Sequence, residues 1–247
     1  MSKYQVKYPI KVLSYNIYFK AMLGLDKNFL PKETAQKNVK NIIESGDYEI
    51  IGLQEVECFN KIFDSKTLAK YNYVSGKSGK ETLMTFFKKK YNIIDHITTD
   101  FHEGRPLQIV LVKDGSQLLL VVNLHAPHET QNFGNYNGKE NRSNYHYSLE
   151  LIKIINEKIN NFVNNQIDRI ILIGDFNELY HNSDNNSFEI NIRGKKYQMR
   201  TQKIISCCYP NIHKPGDYIF DSEIEPKLNI VSDIHPASDH FPVDSIL

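Results

Sequence analysis

Residues 169–177 read RIILIGDFN, and this short stretch decides the fold class of the chain. Its run from Ile170 to Gly174 is unbroken apolar sequence, which is typical of a strand buried on both faces of a sheet. The strand then ends on two polar side chains, Asp175 and Asn177. A buried strand that carries a carboxylate and an amide at its exit predicts an α/β fold with chemistry at one edge of a sheet.

The same pattern, an apolar strand that ends on a polar side chain, recurs along the chain. Because packed strands deliver their ends to one edge of a sheet, we expect these side chains to converge in one cleft. Each residue alone is more often a turn former or a structural residue, so the combination and its order carry the signal. The further members are Asn16 after KVLSY, Glu55 after IIGLQ, His125 after LLLVVNL, and Asp239 with His240 before the terminal FPV.

The remaining elements predict a single mixed α/β domain over residues 1–247. Apolar residues at helical spacing predict helices at Pro31–Glu44 and Asn141–Val163. A hairpin is expected between Leu107–Val112 and Gln117–Leu124, because Asp114-Gly115 separates them. Other predicted features are strands at Thr82–Phe87, Tyr218–Phe220 and Leu228–Val231, and long surface loops at residues 132–144 and 180–191.

The composition is that of an ordinary globular protein, with 40% hydrophobic and 24% charged residues. Lys and Arg number 30 and Asp and Glu number 29, which gives a net charge of +1. A nearly neutral chain has no global field for capturing a polyanion, so any nucleic-acid binding would need a local basic patch.

The three cysteines are Cys58, Cys207 and Cys208. An odd count with two adjacent members is a poor disulfide framework, so we expect a reducing compartment. Cys207 and Cys208 are interpreted as buried strand residues rather than a redox site, because nothing nearby in the sequence would depress a thiol pKa. The sequence contains neither the apolar core of a signal peptide nor the run of about 18 apolar residues that a membrane span needs. A cytoplasmic or nuclear protein without a transmembrane segment is therefore expected.

Six motifs in order resemble the signature set of the endonuclease/exonuclease/phosphatase superfamily. They are LSYNI, LQEV, NLHAP, IGDFN, GDYI and SDHFPV, and together they extend from Val12 to Val243. The resemblance implies a four-layer α/β sandwich, in which two packed mixed β-sheets are flanked by helices. It also implies a metal-dependent hydrolase of phosphate esters with one active site at the edge of the sandwich.

The resemblance assigns a role to each matching residue. Glu55 would be the main metal ligand, with Asn16 and Asp239 supporting the metal, and Asn16 would also contact the scissile phosphate. Asp175 and Asn177 would orient or deprotonate the attacking water. His240 would hydrogen-bond the phosphate, and Asp217 in GDYI would fix the tautomer of His240.

Three residues favour the deoxyribonuclease I-like branch of the superfamily. His125 in NLHAP resembles the second imidazole of that branch, whereas the apurinic-site endonuclease branch usually carries Tyr there. Glu81 stands where that branch has a carboxylate paired with this histidine. Arg105 precedes the strand where the branch keeps a phosphate-contacting arginine.

The expected function is a Mg²⁺-dependent phosphodiesterase that cleaves nucleic-acid phosphodiester bonds, with Mn²⁺ as a possible substitute for the metal. The alternative is an inositol phosphate or phosphoinositide phosphatase, or a sphingomyelinase-like lipid phosphodiesterase, because one fold can host all of these. The intact set of site residues argues against a third hypothesis, a non-catalytic binding protein that keeps the scaffold. The predicted partner is thus a phosphate-ester substrate, with nucleic acid favoured over lipid or inositol phosphate, and the predicted oligomeric state is a monomer.

Overall fold

The computed structural model describes residues 9–79, 81–102, 104–127, 144–177, 187–208, 214–231 and 237–247, without the side chains of 102 and 144–150. These ranges contain thirteen strands and five helices. In chain order they are β1 (Lys11–Asn16), α1 (Phe19–Leu23), α2 (Lys32–Ser45), β2 (Ile50–Gln54), α3 (Phe59–Ile62), α4 (Ser65–Leu68), β3 (Tyr71–Ser78), β4 (Glu81–Lys88), β5 (Asn92–His102), β6 (Arg105–Asp114), β7 (Gln117–His125), α5 (Asn144–Phe162), β8 (Arg169–Asp175), β9 (Ser187–Ile192), β10 (Lys195–Arg200), β11 (Asp217–Asp221), β12 (Asn229–Ile230) and β13 (Val243–Ile246).

These strands form two mixed sheets, which confirms the predicted α/β sandwich. The 6-stranded sheet has the order β12-β13-β1-β2-β4-β3, and the 7-stranded sheet has the order β5-β6-β7-β8-β11-β10-β9. Apolar side chains of the two inner faces pack together between the sheets. Helices α1 to α3 cover the outer face of the 6-stranded sheet, and α5 covers the outer face of the other.

Strand β8 illustrates why its sequence is apolar without alternation. Ile171 and Ile173 point into the layer between the sheets. Ile170 and Leu172, on the opposite face, pack in the layer under α5. Because successive side chains of a strand point to opposite faces, a strand in the middle of four layers has no face left for polar residues.

The predicted helices and the hairpin are present; α2 is shifted by one residue at each end, and α5 ends one residue before the predicted bound. In α2, Ala35, Val39 and Ile43 are buried on one face, as their spacing predicts. The hairpin of β6 and β7 closes with Asp114 opposite Gln117. In the part of the chain that the structure describes, no helix is long and apolar enough to cross a membrane.

One of the two predicted loops is partly wrong. Most of residues 132–144 and 178–186 lies outside the described residues, but Ser187–Ile192 forms strand β9 rather than the end of a loop. Phe188, Ile190 and Ile192 are buried in alternation along this strand. The Asn-rich sequence before it obscured a short period-2 pattern that only the sheet makes evident.

The two sheets approach each other closely at Gly52 in β2. A Cβ atom placed on Gly52 would lie 2.4 Å from Cδ1 of Ile173 and 3.3 Å from Cγ of Asn123. Beside this contact, the buried Gln54 side chain donates a hydrogen bond to Oδ1 of Asn123 at 2.7 Å. Nδ2 of Asn123 in turn contacts Oγ1 of Thr85 at 3.1 Å. The inter-sheet layer therefore combines a glycine contact with paired buried amides, and both restrict how the sheets can slide.

We predict that Gly52→Ala destabilises the fold by about 1–3 kcal/mol, because the added methyl group overpacks the layer against Ile173. Chemical denaturation of the wild type and the variant measures this change in the free energy of unfolding. Ile173→Val removes the Cδ1 atom that the new methyl group would meet.

The matched control is therefore the double variant Gly52→Ala/Ile173→Val, which should recover part of the stability lost by Gly52→Ala. If the two substitutions destabilise additively, steric contact at this position is not the cause.

Candidate active site

Strand register places three of the site residues side by side. In the parallel pair of β7 and β8, His125 is the partner of Asp175. In the antiparallel pair of β11 and β8, Asp217 is the partner of the same Asp175. Gly174, just before Asp175, has a φ of +151° and would bring a Cβ within 2.1 Å of the Leu124 carbonyl oxygen. Glycine at this position therefore allows the two strands to pair closely at their exits.

Asn16 joins the two sheets at the site. It ends β1 in the 6-stranded sheet, and its Nδ2 donates to Oδ2 of Asp175 in the 7-stranded sheet at 2.9 Å. The same Nδ2 lies 3.2 Å from Oε1 of Glu55, the first residue after β2. Glu55 has a φ of 58°, a conformation that non-glycine residues rarely adopt. The strained exit of β2 thus places the Glu55 carboxylate beside Asn16.

His125 is buried against a carboxylate and a guanidinium. Its Nδ1 lies 2.8 Å from Oε2 of Glu81, at the start of β4. The other oxygen of Glu81 pairs closely with Nη1 of Arg105. The same Nη1 lies 3.2 Å from Nδ1 and 3.1 Å from Nε2 of His125, so the guanidinium contacts the ring rather than one nitrogen alone. The structure therefore brings together the three residues that favour the deoxyribonuclease I-like branch.

Burial acts to lower the pKa of His125, but the carboxylates of Asp175 and Glu81 outweigh it, so the pKa lies above its usual value. For Glu81, burial acts to raise the pKa, but His125 and Arg105 outweigh burial and lower it. Both shifts favour a charged pair, an imidazolium with its carboxylate.

His240 forms a second pair with Asp217. Its Nδ1 lies 2.8 Å from Oδ2 of Asp217, and both side chains are buried. Burial opposes the charge on the ring, but Asp217 and Asp175 raise the pKa of His240 well above its usual value. Because Asp217 occupies Nδ1, the other nitrogen, Nε2, faces the cleft, where it lies 3.4 Å from Oδ2 of Asp175.

Asp175 is the centre of these contacts. Its Oδ2 lies 3.4 Å from Nε2 of His125, in addition to its contacts with His240 and Asn16. Its Oδ1 accepts the backbone N–H of Asn177 at 2.8 Å. Burial acts to raise the pKa of Asp175, but the two imidazoles, the Asn16 amide and this N–H outweigh burial and lower it. Asp175 is therefore held as an anion with almost no exposure to water.

Asn177 has a φ of 49°, and its Nδ2 donates to the backbone oxygen of Ala126 at 2.5 Å. Its side chain thus ties the segment after β8 to the segment after β7.

Asp239 completes a group of oxygen donors. Burial raises its pKa, and the nearby negative charges of Glu55 and Asp175 raise it further, although His240 acts in the opposite direction. A cation placed between carboxylates stabilises them, because it offsets the repulsion between their negative charges. Carboxylate and amide oxygens are also the ligands that a hard divalent cation prefers. The residues Glu55, Asp239 and Asn16 therefore fit a divalent metal ion.

Two other groups in the described residues bring potential ligand atoms within 4.8 Å of one another: Glu55, Glu81 and His125, and Asp175, Asp217 and His240. In each of these groups a carboxylate already occupies one nitrogen of the histidine at 2.8 Å. We favour the set of Glu55, Asp239 and Asn16, because hard divalent cations prefer oxygen ligands, whereas the histidine of each other group is held by a carboxylate at 2.8 Å.

The structure brings all the sequence-predicted site residues to one place. Most of them lie at or next to the end of a strand, Asp239 and His240 lie in the segment before β13, and each contacts another member of the set. They are Asn16, Glu55, Glu81, Arg105, His125, Asp175, Asn177, Asp217, Asp239 and His240.

Two further contributors were missed from the sequence. Ser238 donates a hydrogen bond to the backbone oxygen of Asn16 at 2.7 Å and accepts the N–H of His240 at 3.1 Å, so it ties the SDH turn to β1. Tyr18, with a φ of 50°, donates its N–H to Oδ1 of Asn16 at 3.0 Å. Ser238 could have been found as the first letter of SDHFPV, whereas nothing in the sequence around Tyr18 indicates its conformation.

The expectation for the cysteines was wrong in one respect. Cys207 and Cys208 are joined by a disulfide between adjacent residues, and Cys58 is free and buried. The odd count and the adjacency of the two cysteines predict no disulfide framework and no redox site, whereas the structure joins the pair. In the folded chain Cys208 has a φ of 80°, and this unusual backbone turns the two side chains toward each other.

Comparison with known proteins gives the family. The model of the Endonuclease/Exonuclease/phosphatase family matches residues 13–240. An uncharacterized protein of Acanthamoeba polyphaga mimivirus is 28% identical over 272 residues, covering 96% of this chain. The match covers 50% of that protein, so the chain spans about half the length of this relative.

Solved structures share the fold at low sequence identity. TDP2 from Caenorhabditis elegans gives a TM-score of 0.66 at 17% identity, covering 97% of this chain and 75% of that one. The mannosyl-6-phosphatase of Bacteroides thetaiotaomicron gives 0.65 at 17% identity, covering 96% and 99% of the two chains. The catalytic domain of human Nocturnin gives 0.65 at 16% identity, covering 96% and 93%.

Since the family model spans nearly the whole chain and the same two-sheet fold recurs in these neighbours, the chain belongs to the endonuclease/exonuclease/phosphatase family, whose members are metal-dependent phosphoesterases.

Proposed function

We propose that this chain is a Mg²⁺-dependent phosphodiesterase that cleaves nucleic-acid phosphodiester bonds. The observation that carries the proposal is the presence of two imidazoles, each with its own carboxylate, on either side of Asp175. Nε2 of His125 and Nε2 of His240 both lie 3.4 Å from the same oxygen of Asp175. A phosphodiester needs two positive or proton-donating groups, one for the anionic phosphate and one for the departing alkoxide.

The anionic Asp175 is the group that orients the attacking water. Its low pKa keeps it a hydrogen-bond acceptor, and Asn16 and the N–H of Asn177 hold its two oxygens in place. Because these contacts exist before substrate arrives, the enzyme does not have to reorganise them during the reaction.

The two imidazolium groups take separate roles. His240, whose Nδ1 is held by Asp217, donates from Nε2 to an oxygen of the phosphate as negative charge develops there. His125, whose Nδ1 is held by Glu81, donates a proton from Nε2 to the leaving oxygen. Each carboxylate fixes the ring orientation and favours the protonated ring that its role requires.

Glu55, Asp239 and Asn16 would hold the metal, which supplies charge stabilisation and lowers the pKa of the attacking water when it is bound. Mg²⁺ is proposed because all of these donors are oxygens, and Mn²⁺ accepts a similar donor set. A monomer and a cytoplasmic or nuclear location stay predictions from the sequence.

A phosphomonoesterase is the second candidate, because Arg105 fits a terminal phosphate as well as the diester of the deoxyribonuclease I-like branch. Its guanidinium lies inside the site between Glu81 and His125, with 13% of its side chain exposed. A terminal phosphate carries two negative charges, and arginine binds such groups well. The mannosyl-6-phosphatase of Bacteroides thetaiotaomicron has a similar fold, which shows that the scaffold accommodates a sugar phosphate in that protein. Inositol phosphates and phosphoinositides belong to this candidate.

The test is a substrate panel with Mg²⁺ that contains single- and double-stranded DNA, RNA, abasic DNA, phosphoinositides, a sugar phosphate and sphingomyelin. We expect kcat/KM to be highest for a nucleic acid. Preferred turnover of a monoester would support the second candidate, and preferred turnover of sphingomyelin would indicate a lipid phosphodiesterase. Either result would contradict the nuclease proposal.

For the metal, we predict that Glu55→Gln lowers Mg²⁺ affinity and turnover together, because the amide keeps the shape but removes an anionic ligand. Calorimetric titration of the protein with Mg²⁺ and steady-state kinetics measure the two effects.

Glu57→Gln is the matched control, because the Glu57 carboxylate is engaged with the backbone N–H of Thr82 at 2.8 Å. Near-normal Mg²⁺ binding and activity are expected there. Glu55→Gln with unchanged Mg²⁺ affinity would remove Glu55 from the metal site.

For the leaving group, we predict that His125→Ala slows cleavage of a nucleic acid by about 10²–10⁴-fold, the usual effect of removing a positioned acid–base group. Glu81→Gln should slow it less, because the imidazole remains. The p-nitrophenolate anion leaves readily without a proton, so the loss should be much smaller on bis(p-nitrophenyl) phosphate.

The ratio of the two losses is the decisive measurement. An equal loss on both substrates would mean that His125 binds the phosphate and does not protonate the leaving oxygen.

A further inference from the structure

The segment Ser206–Cys208 lies against both members of the Asp217–His240 pair. Oγ of Ser206 accepts the backbone N–H of Asp217 at 2.9 Å. On the other side, the N–H of Phe241 donates to the Ser206 carbonyl at 2.7 Å. One short segment therefore holds the backbone of the carboxylate and the backbone next to the imidazole.

The two cysteines continue these contacts to the metal-binding turn. Cys207 forms a β-bridge with His240. The N–H of Cys208 donates to the carbonyl of Asp239 at 2.8 Å. Cys207 is buried and packs so tightly against Gly216 that a Cβ there would lie 2.8 Å from Cβ of Cys207. A change in the backbone of Ser206–Cys208 would therefore move the turn that carries Asp239 and His240.

Sulfur also contacts the reactive atom of the imidazole directly. Sγ of Cys207 lies 3.6 Å from Nε2 of His240, the nitrogen that faces Asp175. Asp217 holds the other ring nitrogen, so Nε2 alone can serve a substrate. The state of the Cys207 sulfur, disulfide or thiol, therefore determines how strongly it competes with the substrate for a hydrogen bond with this nitrogen.

From these contacts we propose that the Cys207–Cys208 pair controls the position of His240 through its oxidation state, and that the disulfide form is the more active one. The proposal rests on the role proposed above for His240. Cys207 and Cys208 are positioning residues, because they act through the imidazole and contact no substrate.

Two physical reasons favour the disulfide form. A disulfide sulfur has no hydrogen and accepts hydrogen bonds only weakly, so it leaves Nε2 available to the phosphate. A thiol sulfur at the same place accepts the Nε2–H of the protonated ring more readily than a disulfide sulfur, so it competes with the phosphate for Nε2. In addition, Cys208 has a φ of 80°, which a non-glycine residue abandons readily once no covalent bond holds it. Its relaxation would pull on the Asp239 carbonyl.

The redox step uses an external thiol as reductant. A thiolate attacks Sγ of Cys208, the half-buried member of the pair, and forms a mixed disulfide while the S–S bond to Cys207 breaks. Sγ of Cys207 leaves with the electron pair and takes up a proton. A second thiol then attacks the mixed disulfide, which releases Cys208 as a thiol and the reductant as its disulfide. Oxidation by glutathione disulfide reverses both exchanges.

The experiment compares the oxidised and reduced forms of a Cys58→Ala variant, which carries only the adjacent pair. One sample is treated with glutathione disulfide and the other with dithiothreitol, and both reagents are removed before assay. Free-thiol titration checks the two states. On bis(p-nitrophenyl) phosphate, reduction should lower kcat by about 10- to 100-fold, less than complete loss of an acid–base group. Reoxidation should restore it.

Cys208→Ser is the matched variant, because it keeps the sulfur at Cys207 but cannot form the disulfide. It should show the kcat of the reduced protein and should not respond to either reagent. Circular dichroism checks that the variant is folded. Equal kcat in the oxidised and reduced forms would overturn the proposal, and so would the absence of new thiols after dithiothreitol.

A second readout separates this proposal from the proposed function. Nitrogen NMR of ¹⁵N-histidine-labelled protein reports the His240 ring without any substrate, with Cys208→Ser as reference. The His240 signals should shift between the oxidised and reduced forms even if no phosphodiester in the panel is cleaved. Unchanged His240 signals would overturn the redox proposal, whereas a shift without turnover would count only against the function assigned above.

Discussion

The carboxylate of Asp175 lies almost completely out of water at the junction of the two sheets, and the other site residues are arranged around its charge. A buried anion is tolerated only where hydrogen bonds and opposite charges replace the lost water. Asn16 and the N–H of Asn177 provide the hydrogen bonds, and His125 and His240 provide the charges. Removing any of these partners would leave Asp175 less well compensated, so the site behaves as one electrostatic unit.

The sandwich makes this unit rigid. The amide of Asn16 crosses from one sheet to a carboxylate in the other, so the distance between the sheets sets the geometry of the site. That distance depends on the close contact of Gly52 with Ile173 and on the buried pair of Gln54 and Asn123. Buried polar groups that hydrogen-bond to each other in this way are specific in a way that apolar packing is not. Packing far below the cleft therefore has a direct effect on the chemistry.

Proteins with this fold include a sugar phosphatase and Nocturnin, so the scaffold does not define the substrate. The features of this chain that bear on its chemistry are local. Glu81 and Asp217 each hold one histidine, and a disulfide touches the second imidazole at Nε2. Surface contacts determine which substrate binds. These buried contacts determine proton transfer and charge stabilisation in the bound substrate.

The sequence alone determined the family and the sandwich, because each motif lies within a few residues, and it indicated the candidate site residues, because strand exits are local. Only the tertiary structure decided the pairing between distant segments, such as Asn16 with Asp175, 159 residues apart. The same holds for Arg105 at the start of β6, which lies against His125 at the end of β7 because these two strands pair. Strand β9 and the Cys207–Cys208 disulfide were missed for a related reason. The pairing of distant segments and the backbone conformation at a single residue are properties of the packed chain, and residue spacing does not encode them.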